Sequence, residues 1–142
     1  LSSDQLAKDS HVMDAIVKDQ GDVGIVNTYY FGRLMKKNPN LKLALFWPNQ
    51  EDSGVHVNVS GGGVLRSSKH RNEAVRFLEW LSSEKAQKLY ADVVLEYPVN
   101  PRVQASKEVA AWGDFKQNQL NLSRAGQLQT AAIDLMARAG YK

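Results

Sequence analysis

The chain has 142 residues, 43% of them hydrophobic and 23% charged with both signs interspersed, a composition that excludes a disordered chain and suits a globular one. Its net charge is +3, and no basic run is denser than Lys36-Lys37 or Lys69-His70-Arg71; these read as solvated helix ends and loops, not as the concentrated stripe of a nucleic-acid footprint. The absence of cysteine excludes zinc–thiolate and iron–sulfur sites, thiol nucleophiles and disulfides.

In chain order, residues 10–18 place Val12, Met13, Ile16 and Val17 at helical spacing, with Asp9 or Ser10 available as the cap and Gly21 as the stop. Residues 23–26 predict a short apolar strand containing Gly24, and Asn27-Thr28 turns out of it. Phe31, Leu34 and Met35 then recur at helical spacing. Lys36-Lys37 suits the negative end of that helix's dipole, and Asn38-Pro39-Asn40 ends it. Residues 41–47 read as a second strand closed by Pro48. Helix, strand, helix and strand in short order predict an α/β fold with a parallel sheet and crossover helices. After a polar loop at 48–54, Val55, Val57 and Val59 alternate with His56 and Asn58 as a strand with one buried face, and beyond the glycine-rich 60–63 the strand pattern resumes at Val64-Leu65.

Residues 72–81 form an amphipathic helix with Ala74, Val75, Phe77, Leu78 and Leu81 on its apolar side. Ser82 or Ser83 caps the next helix, which has Glu84 in its first turn and carries Ala86, Leu89 and Tyr90. Residues 93–99 are expected to be extended, ending in Pro98 and Pro101, and a short helix is expected through Val109-Ala110-Ala111-Trp112. The last element is a helix from about Ser123, striped by Ala125, Leu128, Ala132, Leu135, Met136 and Ala139 and stopped by Gly140. The chain thus opens with parallel-sheet elements and has a mostly helical end, the balance of one piece of a two-lobed architecture.

Tyr29-Tyr30 is the candidate binding feature. The pair lies just past a strand and at the start of a helix, where open α/β sheets bind ligands and where backbone N–H groups favour an anion. Ferric ion is a small, hard cation that prefers anionic oxygen, and a bound cation lowers a phenol pKa from its usual value of about 10 by stabilising the phenolate. Neighbours on a regular helix diverge by about 100°, so adjacent phenols converge on one metal only where the backbone turns. On spacing alone such a pair is more often packing material, one ring buried and one at the surface.

His11, His56 and His70 are scattered, and none has a partner at metal-ligand spacing. Ser60-Gly61-Gly62-Gly63 lacks the Walker spacing and its Lys-Ser/Thr end, and reads as a turn or a close backbone approach. No G-x-S-x-G elbow is present, Glu51-Asp52 sits on a polar loop, and no nucleophile–base or acid–base pair can be named, so catalysis is not expected. No apolar run approaches the roughly 20 residues needed to cross a bilayer, and no signal peptide is visible. Residues 1–9 read as the middle of something, so part of the natural protein is expected upstream of Leu1.

The run Gly21-Asp22-Val23-Gly24-Ile25-Val26-Asn27-Thr28-Tyr29-Tyr30 resembles the iron-site segment of bacterial ferric-ion-binding periplasmic proteins. The likeness continues in order through Trp47-Pro48-Asn49-Gln50, His56-Val57-Asn58-Val59-Ser60-Gly61-Gly62-Gly63-Val64, the 74–81 helix with Ser83-Glu84-Lys85-Ala86-Gln87, Glu96-Tyr97-Pro98-Val99-Asn100-Pro101 and Met136-Ala137-Arg138-Ala139-Gly140. The resemblance implies the C-terminal portion of a two-lobed type II periplasmic binding protein, the capture component of an ABC-type iron transporter. It implies Fe3+ held by tyrosine phenolates in an interlobe cleft, with a synergistic anion in some members, and delivered to a membrane permease from the periplasm or another extracytoplasmic space. It makes Tyr29 and Tyr30 metal ligands and puts Asn27 at an anion-binding position. Tyr97 falls in a segment read as structural, since Pro98 and Pro101 hold an extended turn.

Residues 1–53 would be the end of the second lobe, carrying the tyrosine pair, and residues 54–142 the returning part of the first lobe with the C-terminal helices. The family's other ligands would lie upstream. Sheet edges and core left open in this way would make the chain prone to pair with another copy. Neither nucleic acid nor a catalytic substrate is an expected partner. Two other readings use the same residues: a binding protein for another metal or a small anion, and an oligomerising module with no ligand of its own.

Overall fold

The computed structural model describes Leu6 and residues 8–141; residues 1–5, Ala7 and Lys142 lie outside the described residues, and with them most of the expectation for 1–9. Two compact units emerge: a larger one from Lys8–Phe46 and Asn58–Asp114, and a smaller one that includes Trp47–Val57 and the described residues from Phe115 onward.

In the larger unit, helix α1 spans Asp9–Val17 and helix α2 spans Thr28–Lys37. The cap of α1 is Lys8, in extended conformation and without a side-chain bond, so neither Asp9 nor Ser10 caps it as expected. Asp9 is instead the first helical residue, where its charge faces the positive end of the helix dipole. The chain leaves α1 through Asp19 at φ 56°, two residues before Gly21, because a short polar side chain tolerates the left-handed region. Gly24 marks where the following segment crosses α1: a methyl group there would meet the Val12 and Ile16 side chains. On α2 it is Phe31 and Gly32 that are buried, so this helix is anchored by its middle.

Helix α3, Arg71–Leu81, buries no residue; Phe77 and Trp80 stack on its surface with centroids 6.0 Å apart. Helix α4, Glu84–Leu89, is capped by Ser83, whose Oγ accepts the Ala86 N–H at 3.3 Å, as its spacing from Glu84 predicts. A π-helical turn, Tyr90–Val94, continues it and ends at Leu95 in the left-handed conformation (φ 64°, ψ 36°). Val93 and Val94, expected to be extended, therefore belong to this turn. Helix α5, Lys107–Ala110, is held by the buried Ser106, whose Oγ accepts the Val109 N–H at 3.2 Å. The buried apolar residues of this unit are Met13, Phe31, Ala86, Ala91, Leu95 and Val109.

In the smaller unit, Trp47 stacks on Phe115 with centroids 4.4 Å apart. The 49–54 turn closes with the Gly54 N–H donating to the Asn49 carbonyl at 2.8 Å. Gln50 clamps the neighbouring segment: its Oε1 accepts the Lys116 N–H at 2.6 Å and its Nε2 donates to the Lys116 carbonyl at 3.3 Å. Helix α6, Leu122–Gln127, and helix α7, Gln129–Arg138, replace the single helix expected from Ser123. The break falls at Leu128, whose N–H is shared between the Arg124 and Ala125 carbonyls at 3.1 and 3.2 Å, just after Gly126, a residue that weakens a helix interior by about 1 kcal/mol.

The expected parallel sheet is not confirmed within this chain. Among the described residues no strand ladder forms at 23–26, 41–47, 55–59 or 64–65; the one pairing is an isolated parallel bridge between Val55 and Gln117. A period-2 apolar pattern specifies a face to bury and says nothing of the neighbour whose N–H and C=O groups complete a ladder. Those faces are open in the structure, with Val23, Ile25, Phe46 and Leu65 all more than three-quarters exposed.

Candidate metal centre

Tyr29 and Tyr30 occupy the first turn of α2, as their place after Asn27-Thr28 predicts. Their rings lie 4.5 Å apart at centroids and 44° out of plane. The two side chains meet within the first turn of the helix, which opens at Asn27, extended at ψ 133°, whose carbonyl accepts the Tyr30 N–H at 3.1 Å. Tyr29 is half-buried and Tyr30 exposed.

Arg33 completes the face. One turn along α2, its guanidinium carbon lies 5.2 Å from the Tyr29 ring centroid and 5.7 Å from that of Tyr30, within cation–π range of both. Asn27 is the helix cap by position, yet its side chain makes no capping bond; its Nδ2 donates to Asp9 Oδ2 at 3.1 Å and ties α2 to the first turn of α1. That bond leaves Asn27 one further amide hydrogen and its carbonyl oxygen.

The surroundings of Tyr29 disfavour a bare phenolate. Burial pushes the Tyr29 phenol up from its ordinary range; the Tyr30 phenol beside it and the carboxylates of Asp9 and Glu96 push it further. Each charged neighbour that makes a bare phenolate costly is negative, so a multivalent cation seated at the oxygens reverses the balance and releases the proton. Among the described residues no group of three or more His, Cys, Asp or Glu could hold a metal. The phenols are therefore the donor set to consider, and their oxygen chemistry fits a hard cation.

Sequence reasoning named Tyr29, Tyr30 and Asn27 and overlooked Arg33, Asp9 and Glu96. Arg33 was detectable, since it stands four residues after Tyr29 and three after Tyr30 on one helix face. The approach of Asp9 and Glu96 is tertiary and leaves no local trace.

Comparison with known families decides the larger question: the profile of the bacterial extracellular solute-binding proteins matches residues 4–117. The chain belongs to that family. Among individual solute-binding relatives, iron uptake protein A1 of Synechocystis sp. is 39% identical over 140 residues, covering 94% of this chain and 39% of the relative. The major ferric iron-binding protein of Neisseria meningitidis serogroup B is 28% identical over 138 residues, covering 96% and 41%. A Trichodesmium protein solved in complex with iron and citrate superposes with a TM-score of 0.88 at 36% identity, over 99% of this chain and 46% of that one. The ferric binding protein from Campylobacter jejuni gives 0.91 at 29% identity, over 100% and 47%. This solute-binding chain therefore spans less than half the length of these relatives. No helix among its described residues is long and apolar enough to cross a membrane.

Proposed function

We propose that this chain is the tyrosine-bearing part of a ferric-ion-binding transport protein, and that Tyr29 and Tyr30 ligate Fe3+ through their phenolate oxygens. The observation that carries the proposal is the pairing of two phenol rings 4.5 Å apart in the first turn of α2, with Arg33 across both. Iron binding in the names of relatives that align along nearly the whole chain supports it.

Fe3+ is the cargo here. It displaces the phenol protons, and the cationic Arg33 limits the repulsion between the phenolates and any anion that accompanies the metal. Asn27, with a donor to spare at the head of α2, is the residue we assign to such an anion; citrate, present with iron in the Trichodesmium structure, represents the class. In this reading residues 1–53 complete one lobe of a type II periplasmic binding protein and residues 54–142 return to the other. The open apolar segments at 23–26 and 41–47 pair as sheet strands in the whole protein. Further ligands come from outside this chain, the loaded protein delivers iron to an ABC-type permease from the periplasm, and it catalyses nothing.

Titration with ferric citrate, followed by visible absorbance, tests the assignment. The parent should develop a phenolate-to-iron charge-transfer band, and a Tyr29→Phe/Tyr30→Phe variant should not. A band of equal strength in both would overturn the assignment, as would the absence of a band in a protein extended upstream to the length of its relatives.

A further inference from the structure

Helix α2 carries Tyr29, Tyr30 and Arg33 within an arc of about 100°, while Phe31 and Gly32 fall on the remaining side of the helix. That second side is the buried one, and it is closely fitted. A methyl group at Gly32 would lie 2.8 Å from Leu95 Cδ1 and 2.8 Å from Trp112 Cζ2. Ordinary carbon contacts are about 3.5–4.0 Å, so either contact falls short by roughly 1 Å. Phe31 meets the same Trp112 edge-on at 6.1 Å, and Tyr97 meets it from another side at 6.2 Å.

The surface that receives Gly32 is itself held by an unusual backbone. Leu95 is 1% exposed and left-handed, a conformation that disfavours a leucine, and it follows directly on the π-helical turn. Its isobutyl group reaches Gly32 of α2.

We propose that Gly32, Leu95 and Trp112 form a seat that sets the rotation of α2 and thereby the separation of the two phenol oxygens, making them positioning residues for the metal. The inference rests on the reading of Tyr29 and Tyr30 as ligands. Its force is a comparison of lengths: metal–ligand distances tolerate about 0.2 Å, whereas a side chain at position 32 needs roughly 1 Å of room, to be found by the Leu95 and Trp112 side chains or by the helix that carries both ligands.

The test uses Gly32→Ala, the double variant Gly32→Ala/Leu95→Ala, and Gly21→Ala as control, since a methyl group at Gly21 would meet nothing within 4 Å. Two readouts separate the seat from the iron reading: the nuclear magnetic resonance signals of the Tyr29 and Tyr30 rings without metal, and the ferric citrate titration. Gly32→Ala should shift both ring signals and weaken ferric uptake by about 10- to 100-fold, the range seen when groups behind a ligand are altered. Removing the Leu95 side chain in the double variant should bring the ring signals back toward the parent, and Gly21→Ala should match the parent throughout.

Ring signals and uptake that are unchanged in Gly32→Ala overturn the seat. A parent with no charge-transfer band, or a band that survives loss of both tyrosines, overturns the iron reading instead, and the ring signals then decide the seat alone. If Gly32→Ala does not fold, Trp112→Phe takes its place, thinning the seat without adding bulk; unchanged ring signals there overturn the proposal and shifted ones support it.

Discussion

Leu95 allows the strain in this seat to be measured as a difference. The residue is 1% exposed and sits at φ 64°, ψ 36°. Leu95→Ala cuts a buried isobutyl group beneath α2 back to a methyl, and such truncations cost about 2–5 kcal/mol. Leu95→Gly removes one methyl group more, worth about 0.8 kcal/mol of burial, and adds about 0.5–1 kcal/mol of backbone entropy lost on folding. In an ordinary conformation glycine would therefore be weaker than alanine by roughly 1.5 kcal/mol. In the left-handed region glycine is also relieved of a penalty of about 1–2 kcal/mol that alanine still bears, so the two terms nearly cancel. The expected result is two variants within about 0.5 kcal/mol of each other and both well below the parent. Urea unfolding followed by far-ultraviolet circular dichroism gives the three values, provided the slopes agree. A glycine variant weaker than the alanine variant by the full 1.5 kcal/mol or so would refute the claim that Leu95 carries backbone strain.

Burial first and then Tyr30, Asp9 and Glu96 raise the Tyr29 pKa, and burial and then Asp114 raise that of Tyr97. Because both folded values lie above the unfolded one, the stability they contribute is complete below the ordinary phenol value of about 10 and is lost as pH rises through the raised values. Ultraviolet titration of phenolate should show a late component that Tyr29→Phe and Tyr97→Phe each diminish. Gly54→Ala should open the smaller unit's bridge: at φ 84° a methyl group would lie 2.7 Å from the Lys116 oxygen, a backbone atom. Amide exchange at Val55 and Asn118, whose backbone groups make the bridge, should accelerate by roughly tenfold or more. Ser106→Ala should destabilise by about 1–2 kcal/mol, since the lost hydroxyl both caps α5 and is buried, and thermal unfolding would register it. Arg33→Gln should weaken ferric binding most at low ionic strength, where its charge is least screened, with folding stability changed by less than about 1 kcal/mol.

Local chemistry was legible in the sequence wherever neighbours along the chain settle it. The period of Val12, Met13, Ile16 and Val17 marks α1; Ser83 ahead of Glu84 marks the start of α4; and Asn27-Thr28 places both tyrosines in the first turn of α2. In these cases a residue's partner lies within four positions, so hydrogen-bond geometry and helical period are enough. The tyrosine pair as candidate ligands was legible for the same reason, since the donor chemistry belongs to the side chains themselves.

The tertiary structure alone decided whatever depends on partners distant in sequence. Asn27 turns its amide to Asp9 in place of capping its own helix, and Leu95 and Trp112 close under Gly32. The same limit explains the strands. Alternating valines determine that a face of the 55–59 segment prefers burial, but a ladder exists only where another backbone supplies its donors and acceptors, and here that neighbour is Gln117 at a single bridge. A sequence states what each residue offers; packing determines which offers meet.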